Sequence, residues 1–244
     1  KKTKKYKTFH TSQENQNNMK QEFDWGGIDE SFYNTVNREI FEDKIYESFF
    51  TVKPGDVVLD LGASIGPFTW SIMDKASKVI SVEPSIELIP LLTKNTSGYP
   101  VSIVNKALTN QDGNEVLDEI YDPFKRILWG VSKEVQTTTF KSIIKEHNLD
   151  RIDFIKTDCE GGEYALFTDD NMDFLLNKVR NIVGEWHLCS PQHEIEFRNF
   201  RDKYLPQFKQ FEVRSLDGVD IKWDLGNEHF LEYYTEVIIH INNE

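Results

Sequence analysis

Residues 56–83, DVVLDLGASIGPFTWSIMDKASKVISVE, decide the fold. The apolar run 57–61 is nearly continuous, which is typical of a parallel strand buried on both faces, since a half-exposed strand would alternate. Pro67 follows a glycine loop and can begin a helix, because the first helical residue does not need its N–H. A second apolar run, 78–82, ends at Glu83. The stretch predicts strand, glycine loop, helix, strand and acid, the first half of a doubly wound α/β fold.

The glycine loop, 60–66, indicates the kind of ligand. Glycines let a ligand approach the backbone, and the Glu83 carboxylate can accept hydrogen bonds from both hydroxyls of a ribose. Dinucleotide loops read G-x-G-x-x-G, whereas here Asp60 precedes only two glycines. Asp60 would repel a pyrophosphate and attract an ammonium group. S-adenosylmethionine carries an amino group, a sulfonium and a ribose without phosphate, and the loop is similar to motif I of the class I S-adenosylmethionine-dependent methyltransferases.

Two other interpretations of the loop stay open. Residues 62–66, G-A-S-I-G, also fit the G-x-S-x-G nucleophile elbow of α/β-hydrolases, although that motif explains neither Asp60 nor Glu83. Alternatively, Asp60 and Glu83 only cap the ends of their strands. Their spacing on either side of a glycine loop favours the ligand-binding interpretation.

A second motif, IDFIKTDCEGGEYALF at residues 152–167, narrows the family. Together with VVLDLGASIGPFT and VISVEPS, in this order, it resembles the FkbM-type methyltransferases over about residues 40–190. The resemblance implies a Rossmann-like α/β fold: a seven-stranded class I methyltransferase sheet, mostly parallel with an antiparallel last strand, and helices on both faces. It also implies S-adenosylmethionine as cofactor and O-methylation of a hydroxyl, on a sugar or another hydroxylated metabolite.

A helix is predicted over 31–50, and the last two strands over 211–215 and 230–241. Polar residues follow further predicted strands at 101–104, 152–157 and 179–183. Ligands in open α/β sheets bind at the carboxyl ends of the strands, so we expect these residues to gather at one edge with the glycine loop. The expected cofactor-binding residues are Asp60, Gly62, Ala63, Ser64, Gly66, Glu83, Pro84, Asn105 and Asp158.

Two hypotheses concern the chemistry. A hydroxyl acceptor loses its proton as it attacks the methyl group, and His187 is the predicted base because its ordinary pKa lies near neutral. Asp158 and Glu185 would repel each other unless a cation sat between them, which predicts a Mg²⁺ or Mn²⁺ site beside His187 with Asp158 taking part in catalysis. A histidine satisfied in the core is the competing interpretation of His187.

The expected acceptor is a sugar or glycan, whose apolar face can stack on an aromatic ring. Trp129, Glu160, Lys222 and Trp223 are the candidate acceptor-binding residues. Each has a plainer interpretation: Trp129 as a buried side chain, Glu160 as a helix cap or a contact to the cofactor's amino group, and 216–229 as an exposed hairpin. A glycan predicts an open groove, and a small metabolite a closed pocket. A module that binds cofactor without chemistry is the remaining alternative.

Composition limits the partners. The 244 residues carry a formal net charge of −13, which disfavours nucleic acid because phosphate binding needs a basic surface. Thr-Asp-Cys-Glu-Gly-Gly, 157–162, replaces the [DN]-P-P-[YFW] of many nucleic-acid amino-methyltransferases. Two cysteines, Cys159 and Cys189, are too few for a disulfide framework and predict a reducing, cytoplasmic location. No apolar run is long enough to span a membrane.

Residues 1–30 are predicted to be a flexible N-terminal arm or linker, and 31–244 the methyltransferase domain. The front of the chain is polar and basic, with little to bury. The chain begins with Lys rather than Met, which indicates a trimmed chain or one domain of a longer protein with further domains as partners.

Overall fold

The computed structural model describes residues 22–117 and 133–244. Within them, seven strands form one sheet in the order β3-β2-β1-β7-β8-β10-β9. β10 runs antiparallel to both of its neighbours, and the other pairs are parallel. The predicted sheet, mostly parallel with an antiparallel last strand, is confirmed. Its strands are β1 Val57–Leu61, β2 Lys78–Val82, β3 Val101–Val104, β7 Ile152–Thr157, β8 Val179–His187, β9 Gln210–Arg214 and β10 Glu236–Asn242.

Successive side chains of each strand point to opposite faces of the sheet, and apolar clusters cover both faces. Leu59 and Ile155 belong to the larger cluster, whereas Val58 and Phe154 belong to the cluster on the other face. The α-helices are α1 Glu30–Val36, α2 Pro67–Ile72, α3 Ile89–Asn95, α4 Phe140–Glu146, α5 Asp169–Lys178, α6 Pro191–Asn199 and α7 Phe230–Tyr233. No helix in the described part of the chain is long and apolar enough to cross a membrane.

Shorter helical turns and a second sheet complete the described residues. The 3₁₀ turns are Ile45–Glu47, Gly162–Leu166, Leu205–Gln207 and Lys222–Asp224, and the π-helical turns are Asn37–Glu42 and Phe200–Tyr204. The small sheet has the order β4-β6-β5, with β4 Ala107–Leu108, β5 Gly113–Leu117 and β6 Lys133–Thr138.

Three boundaries differ from the sequence predictions. β8 continues to His187 instead of ending at residue 183, because Gly184 leaves room for the Thr157 carbonyl of β7, which would lie 2.2 Å from an added Cβ. The expected strand over 230–241 begins with helix α7 and becomes extended only at Glu236. The helix expected over 31–50 is interrupted at Lys44, whose backbone is left-handed with φ 50°.

The packed part of the chain also starts before residue 31. Phe23 and Ile28 are buried and pack in one cluster with Ile65 and Leu88. Residues 22–30 therefore cover the start of α2 and the loop after β2, rather than forming the end of an arm. The predicted arm over 1–21 lies outside the described residues.

Candidate active site

The glycine loop leaves β1 and crosses the end of β2. The backbone N–H groups of Gly62 and Ala63 both donate to the Val82 carbonyl at 3.0 Å. Gly62 has φ +74°, and an added Cβ would lie 1.7 Å from the Asp158 carbonyl oxygen. Ser64 has φ 51°, and Gly66, with φ +89°, directly precedes Pro67 at the start of α2. The loop after β1 is thus packed directly against the residue that follows β7.

Asp60 is fully buried, and its partners come from the chain itself. The Thr69 hydroxyl donates to Oδ2 at 2.6 Å, and the Lys156 ammonium lies 3.5 Å from Oδ1. An ammonium group was expected beside Asp60, but here it belongs to Lys156 rather than to a ligand. With no exposed surface, Asp60 cannot contact the cofactor's amino group directly, and its expected role is corrected to that of holding the loop.

Glu83 joins the loops after β1 and β2. Its Oε2 accepts from the Ser64 N–H and its Oε1 from the Ser85 N–H, both at 2.8 Å. Burial raises the pKa of Glu83 to about 7, while the two N–H groups act to lower it. Each carboxylate oxygen keeps a lone pair for a further donor, so this arrangement is compatible with ribose hydroxyls.

Asn105 lies next to Glu83 at the end of β3. Its side-chain amide donates to the backbone carbonyls of Glu83 and Pro84 at 2.9 and 3.0 Å, which leaves its own carbonyl oxygen as an acceptor. Pro84 and Asn105 line a cleft of about 670 Å³ on this side of the sheet, together with Ser85, Val135 and His147 among others. The cleft lies at the end of β3, where the adenine of S-adenosylmethionine is expected in this fold.

Lys156 connects the two halves of the site. It is buried in β7, and its ammonium donates to the Gly62 carbonyl at 2.8 Å and to the Leu61 carbonyl at 3.3 Å. The Asp158 Oδ2 atom lies 3.6 Å away. Burial would lower the pKa of Lys156, but the carboxylates of Asp158 and Asp60 raise it above its ordinary value, so the side chain is an ammonium. The sequence motif gave no sign of this role.

Asp158, Glu185 and His187 come together at the ends of β7 and β8. One ligand atom from each lies within 4.8 Å of the others, a grouping that can hold a metal ion. Burial raises the pKa of Glu185 to about 9, and the neighbouring Asp158 carboxylate adds to this effect. Two carboxylates and an imidazole form a donor set that suits a divalent cation. The predicted group is therefore present as a geometric arrangement.

Glu163 fixes the orientation of His187. Both residues are buried, and Glu163 Oε1 lies 2.7 Å from His187 Nδ1 and accepts from its backbone N–H at 2.7 Å. Oε2 accepts from the Gly161 N–H at 2.9 Å. Because Nδ1 faces a carboxylate, Nε2 is the nitrogen turned toward the group, and it lies 3.8 Å from Glu185. Sequence reasoning did not assign Glu163 to His187, although the spacing of the D-C-E-G-G-E motif placed it near the edge.

The charge of His187 depends on what lies at Nε2. Burial alone would lower the pKa of His187, but the carboxylates of Glu163 and Glu160 raise it well above its ordinary value. Glu160 has a left-handed backbone, with φ 52°, and an exposed side chain whose Oε2 lies 3.3 Å from His187 Nε2. Without a competing cation, Nε2 therefore carries a proton, and His187 does not fit the expected role of a free base. Glu160 thus lies beside the group, and its role as an acceptor-binding residue stays a prediction.

Lys222 and Trp223 lie away from this group. The Lys222 ammonium donates to the Phe211 carbonyl of β9, and the Trp223 indole N–H donates to the Asp220 carbonyl at 3.1 Å. β8 and β10 separate β9 from β7, about 14 Å at ordinary strand spacing. The loop expected to overhang the acceptor instead folds back along the outer edge of β9 because Ile221 donates to the Val213 carbonyl. Trp129 lies outside the described residues.

Comparisons with known proteins agree with this geometry. The sequence model described as "Methyltransferase FkbM domain" matches residues 60–213. A solved structure of an FkbM methyltransferase from Methylobacillus flagellatus KT superposes with a TM-score of 0.52 at 14% identity, covering 84% of this chain and 47% of that chain. At this identity the likeness shows the fold alone.

Curated relatives match shorter parts. The ribosomal RNA small subunit methyltransferase A of Alkaliphilus oremlandii is 32% identical over 28% of this chain and 24% of that protein. The AMB antimetabolite synthetase AmbE of Pseudomonas aeruginosa is 26% identical over 62% of this chain and 9% of that protein. The chain thus spans a quarter or less of the length of these relatives. The family match covers more than half of the chain, so the protein belongs to the FkbM methyltransferase family.

Proposed function

We propose that the protein transfers the methyl group of S-adenosylmethionine to a hydroxyl of a sugar, in a glycan or a glycosylated metabolite. A divalent cation held by Asp158, Glu185 and His187 assists the transfer. The observation that carries the proposal is the grouping of these three side chains within 4.8 Å, next to the glycine loop that the family uses for cofactor. Asp158 connects the glycine loop with this group, since its carbonyl packs on Gly62 and its carboxylate belongs to the group.

The carboxylates of Asp158 and Glu185 are the reason for including a cation in the proposal. Burial, and after it the neighbouring Asp158 carboxylate, raises the pKa of Glu185 to about 9 and so disfavours its ionised form. Mg²⁺ or Mn²⁺ bound to their oxygens would relieve the repulsion. When bound, such an ion orients the acceptor oxygen and lowers the pKa of its hydroxyl. The donor set fits, because His187 presents Nε2 and both carboxylates present oxygens.

The chain's own residues then have separate tasks. Glu83 is placed to receive the ribose, and the N–H groups it fixes hold the loop in shape. Glu163 retains the proton on His187 Nδ1, so His187 would hold a cation through Nε2 in place of the proton there. The acceptor oxygen attacks the methyl carbon as the carbon–sulfur bond breaks, which leaves S-adenosylhomocysteine. The hydroxyl proton passes to a carboxylate of the group, with Asp158 as the proposed recipient.

Other acceptors predict different results. A nucleic acid is disfavoured by the net charge of −13 and by the carboxylates at the site, although one relative is named as a ribosomal RNA methyltransferase. A non-sugar metabolite would use the same cation and carboxylates. A module without chemistry would bind cofactor and would not need Asp158, Glu185 and His187 to converge.

Methyl transfer from labelled S-adenosylmethionine distinguishes these cases. The acceptors are extracted glycans, glycosylated metabolites, sugar-free metabolites and total RNA, each with EDTA or Mn²⁺. We expect label in a sugar methyl ether only with Mn²⁺, and its loss in Glu185→Gln but not in Asp169→Asn, an exposed carboxylate on α5. Label in RNA or in a sugar-free product would contradict the sugar acceptor, and equal transfer in EDTA would contradict the cation.

A further inference from the structure

Tyr46 places a hydroxyl inside the site from a part of the chain that the family match does not reach. Its OH donates to Asp158 Oδ2 at 3.0 Å, across 112 residues of sequence. The family match begins at residue 60, so neither the match nor the motifs point to this residue. Tyr46 is buried at 3% exposure, and burial raises the pKa of its phenol, which therefore remains a donor.

The chain holds the Tyr46 ring firmly. The 3₁₀ turn Ile45–Glu47 follows the left-handed Lys44, and the Glu47 carboxylate closes it by accepting from the Val52 N–H at 2.9 Å. The ring packs edge-on against Phe68 of α2, with centroids 5.9 Å apart, in the cluster beneath β1 and β7. A phenylalanine would fill this space equally well. Packing thus explains the ring but not the hydroxyl.

The hydroxyl acts on a carboxylate that has little else to hold it. Asp158 follows β7, its side chain is 29% exposed, and the Lys156 ammonium lies 3.6 Å from its Oδ2. Lys156 also lies over the Tyr46 ring, 5.4 Å from its centroid, so the two donors approach Oδ2 together. A carboxylate that ligates a metal depends on such outer hydrogen bonds for its orientation.

We propose that Tyr46 is a positioning residue of the acceptor site, which holds the Asp158 carboxylate toward Glu185 and His187 through its hydroxyl. This rests on the proposed function, because it gives Asp158 its task as a cation ligand. The 3₁₀ turn Ile45–Glu47, which precedes the first strand of the sheet, is then part of the active site and not only a cover for its core.

Tyr46→Phe tests the proposal because it removes only the oxygen. The matched control is Tyr204→Phe, since Tyr204 is likewise buried and donates to a carboxylate, Asp169 Oδ1 at 3.2 Å, that is not a member of the group. Both variants and the wild type are titrated calorimetrically with S-adenosylhomocysteine and then with Mn²⁺. Thermal melting accompanies each titration.

We expect the Mn²⁺ Kd of Tyr46→Phe to rise about 10- to 100-fold, the range found for lost outer-shell partners. The Mn²⁺ Kd of Tyr204→Phe stays within about twofold of the wild type, a factor small beside that range. S-adenosylhomocysteine affinity is unchanged in both, and Tm falls by similar amounts. If Tyr46→Phe does not fold, Tyr46→Met, whose flexible side chain adapts to the same space, carries the same expectation.

Each other outcome is decisive. Wild-type Mn²⁺ affinity in Tyr46→Phe, or an equal loss in Tyr204→Phe, would overturn the role of Tyr46 and leave the proposed function intact. A wild type that binds S-adenosylhomocysteine but no Mn²⁺ would overturn the cation and Tyr46 together. A wild type that binds neither would overturn the proposed function itself.

Discussion

The two halves of the active-site edge treat their carboxylates differently. At the ends of β1 and β2, Asp60 and Glu83 are buried and receive hydrogen bonds from Thr69, Ser64 and Ser85. At the ends of β7 and β8, carboxylates face one another instead, and His187 lies among Glu160, Glu163 and Glu185. In the cofactor half, three of the four carboxylate oxygens accept a hydrogen bond from the chain and the fourth, Asp60 Oδ1, faces the Lys156 ammonium at 3.5 Å, whereas the acceptor half has an excess of negative charge.

The difference indicates how the site is assembled. A carboxylate already paired with donors has a fixed shape before a ligand arrives, which favours binding without rearrangement. A group of carboxylates that outnumbers the cations beside it favours the binding of a further positive charge. Lys156 is the described side chain that touches both halves, through the Gly62 carbonyl and Asp158. We therefore expect cofactor and cation binding to be separable by mutation.

The largest expected effect comes from breaking the junction of the halves. Gly62→Ala places a Cβ 1.7 Å from the Asp158 carbonyl at φ +74°, so the loops after β1 and β7 must separate. We expect a loss of more than about 4 kcal/mol in the free energy of unfolding, measured by urea denaturation. Gly55→Ala is the control: its φ is +89°, but nothing lies within 4 Å of the added Cβ.

Gly55→Ala should lose only about 1–2 kcal/mol, the strain of a left-handed alanine. A similar small loss for Gly62→Ala would show that the two loops are not packed as described. The comparison between the halves would then lose its structural basis, because the junction is what places Asp158 in both.

Two separate glutamate-to-glutamine variants, one in each half of the site, should have effects of intermediate size on ligand binding. Glu163→Gln offers His187 Nδ1 an amide in place of a carboxylate, and we expect Mn²⁺ affinity to fall about 10- to 100-fold with S-adenosylhomocysteine affinity unchanged. Glu83→Gln should show the reverse, with weaker S-adenosylhomocysteine and unchanged Mn²⁺. Calorimetry of both variants checks this, and a joint loss in either variant would contradict separable halves.

The smallest expected effect concerns pH. Burial raises the pKa of Glu39 to about 7, and the Asp158 carboxylate adds to this. A carboxyl group whose folded pKa exceeds its unfolded value of 4.5 contributes stability below pH 4.5, and that contribution is lost as pH rises through 7. Glu39→Gln should therefore stabilise the cation-free protein at pH 8 by about 1 kcal/mol, since solvent screens the partly exposed side chain.

At pH 4.5 the gain from Glu39→Gln should vanish. Urea denaturation in EDTA at both pH values measures it. Glu30→Gln, on the exposed surface of α1, is the control and should show no pH-dependent gain. A constant effect of Glu39→Gln across this range would mean that burial and the Asp158 carboxylate do not raise the pKa of Glu39.

Sequence reasoning predicted the parts that depend on local signals. The apolar runs, the glycine loop and Pro67 gave β1, β2 and the start of α2, because each signal acts within a few positions. The gathering of strand ends followed from topology. Gly184 was misleading, since its absence of a side chain accommodates Thr157 inside a continuing strand and does not end it.

The contacts that complete the site could not be predicted in this way. Lys156 meets Gly62 across 94 residues and Tyr46 meets Asp158 across 112, so no pattern within either segment encodes the pairing. Asp60 was predicted to bind an ammonium, and the chain itself supplies one. Which cation satisfies a carboxylate depends on tertiary packing, and that information appears only when the strands are placed side by side.

One titration tests the central claim most directly: S-adenosylhomocysteine in EDTA, followed by Mn²⁺ into the complex, on the wild type and on Asp158→Ala. We expect S-adenosylhomocysteine binding in EDTA, followed by a saturable Mn²⁺ signal in the wild type that Asp158→Ala loses. No S-adenosylhomocysteine binding with or without metal would contradict the methyltransferase reading of the glycine loop. Binding of S-adenosylhomocysteine with no Mn²⁺ signal would contradict the cation-dependent acceptor half.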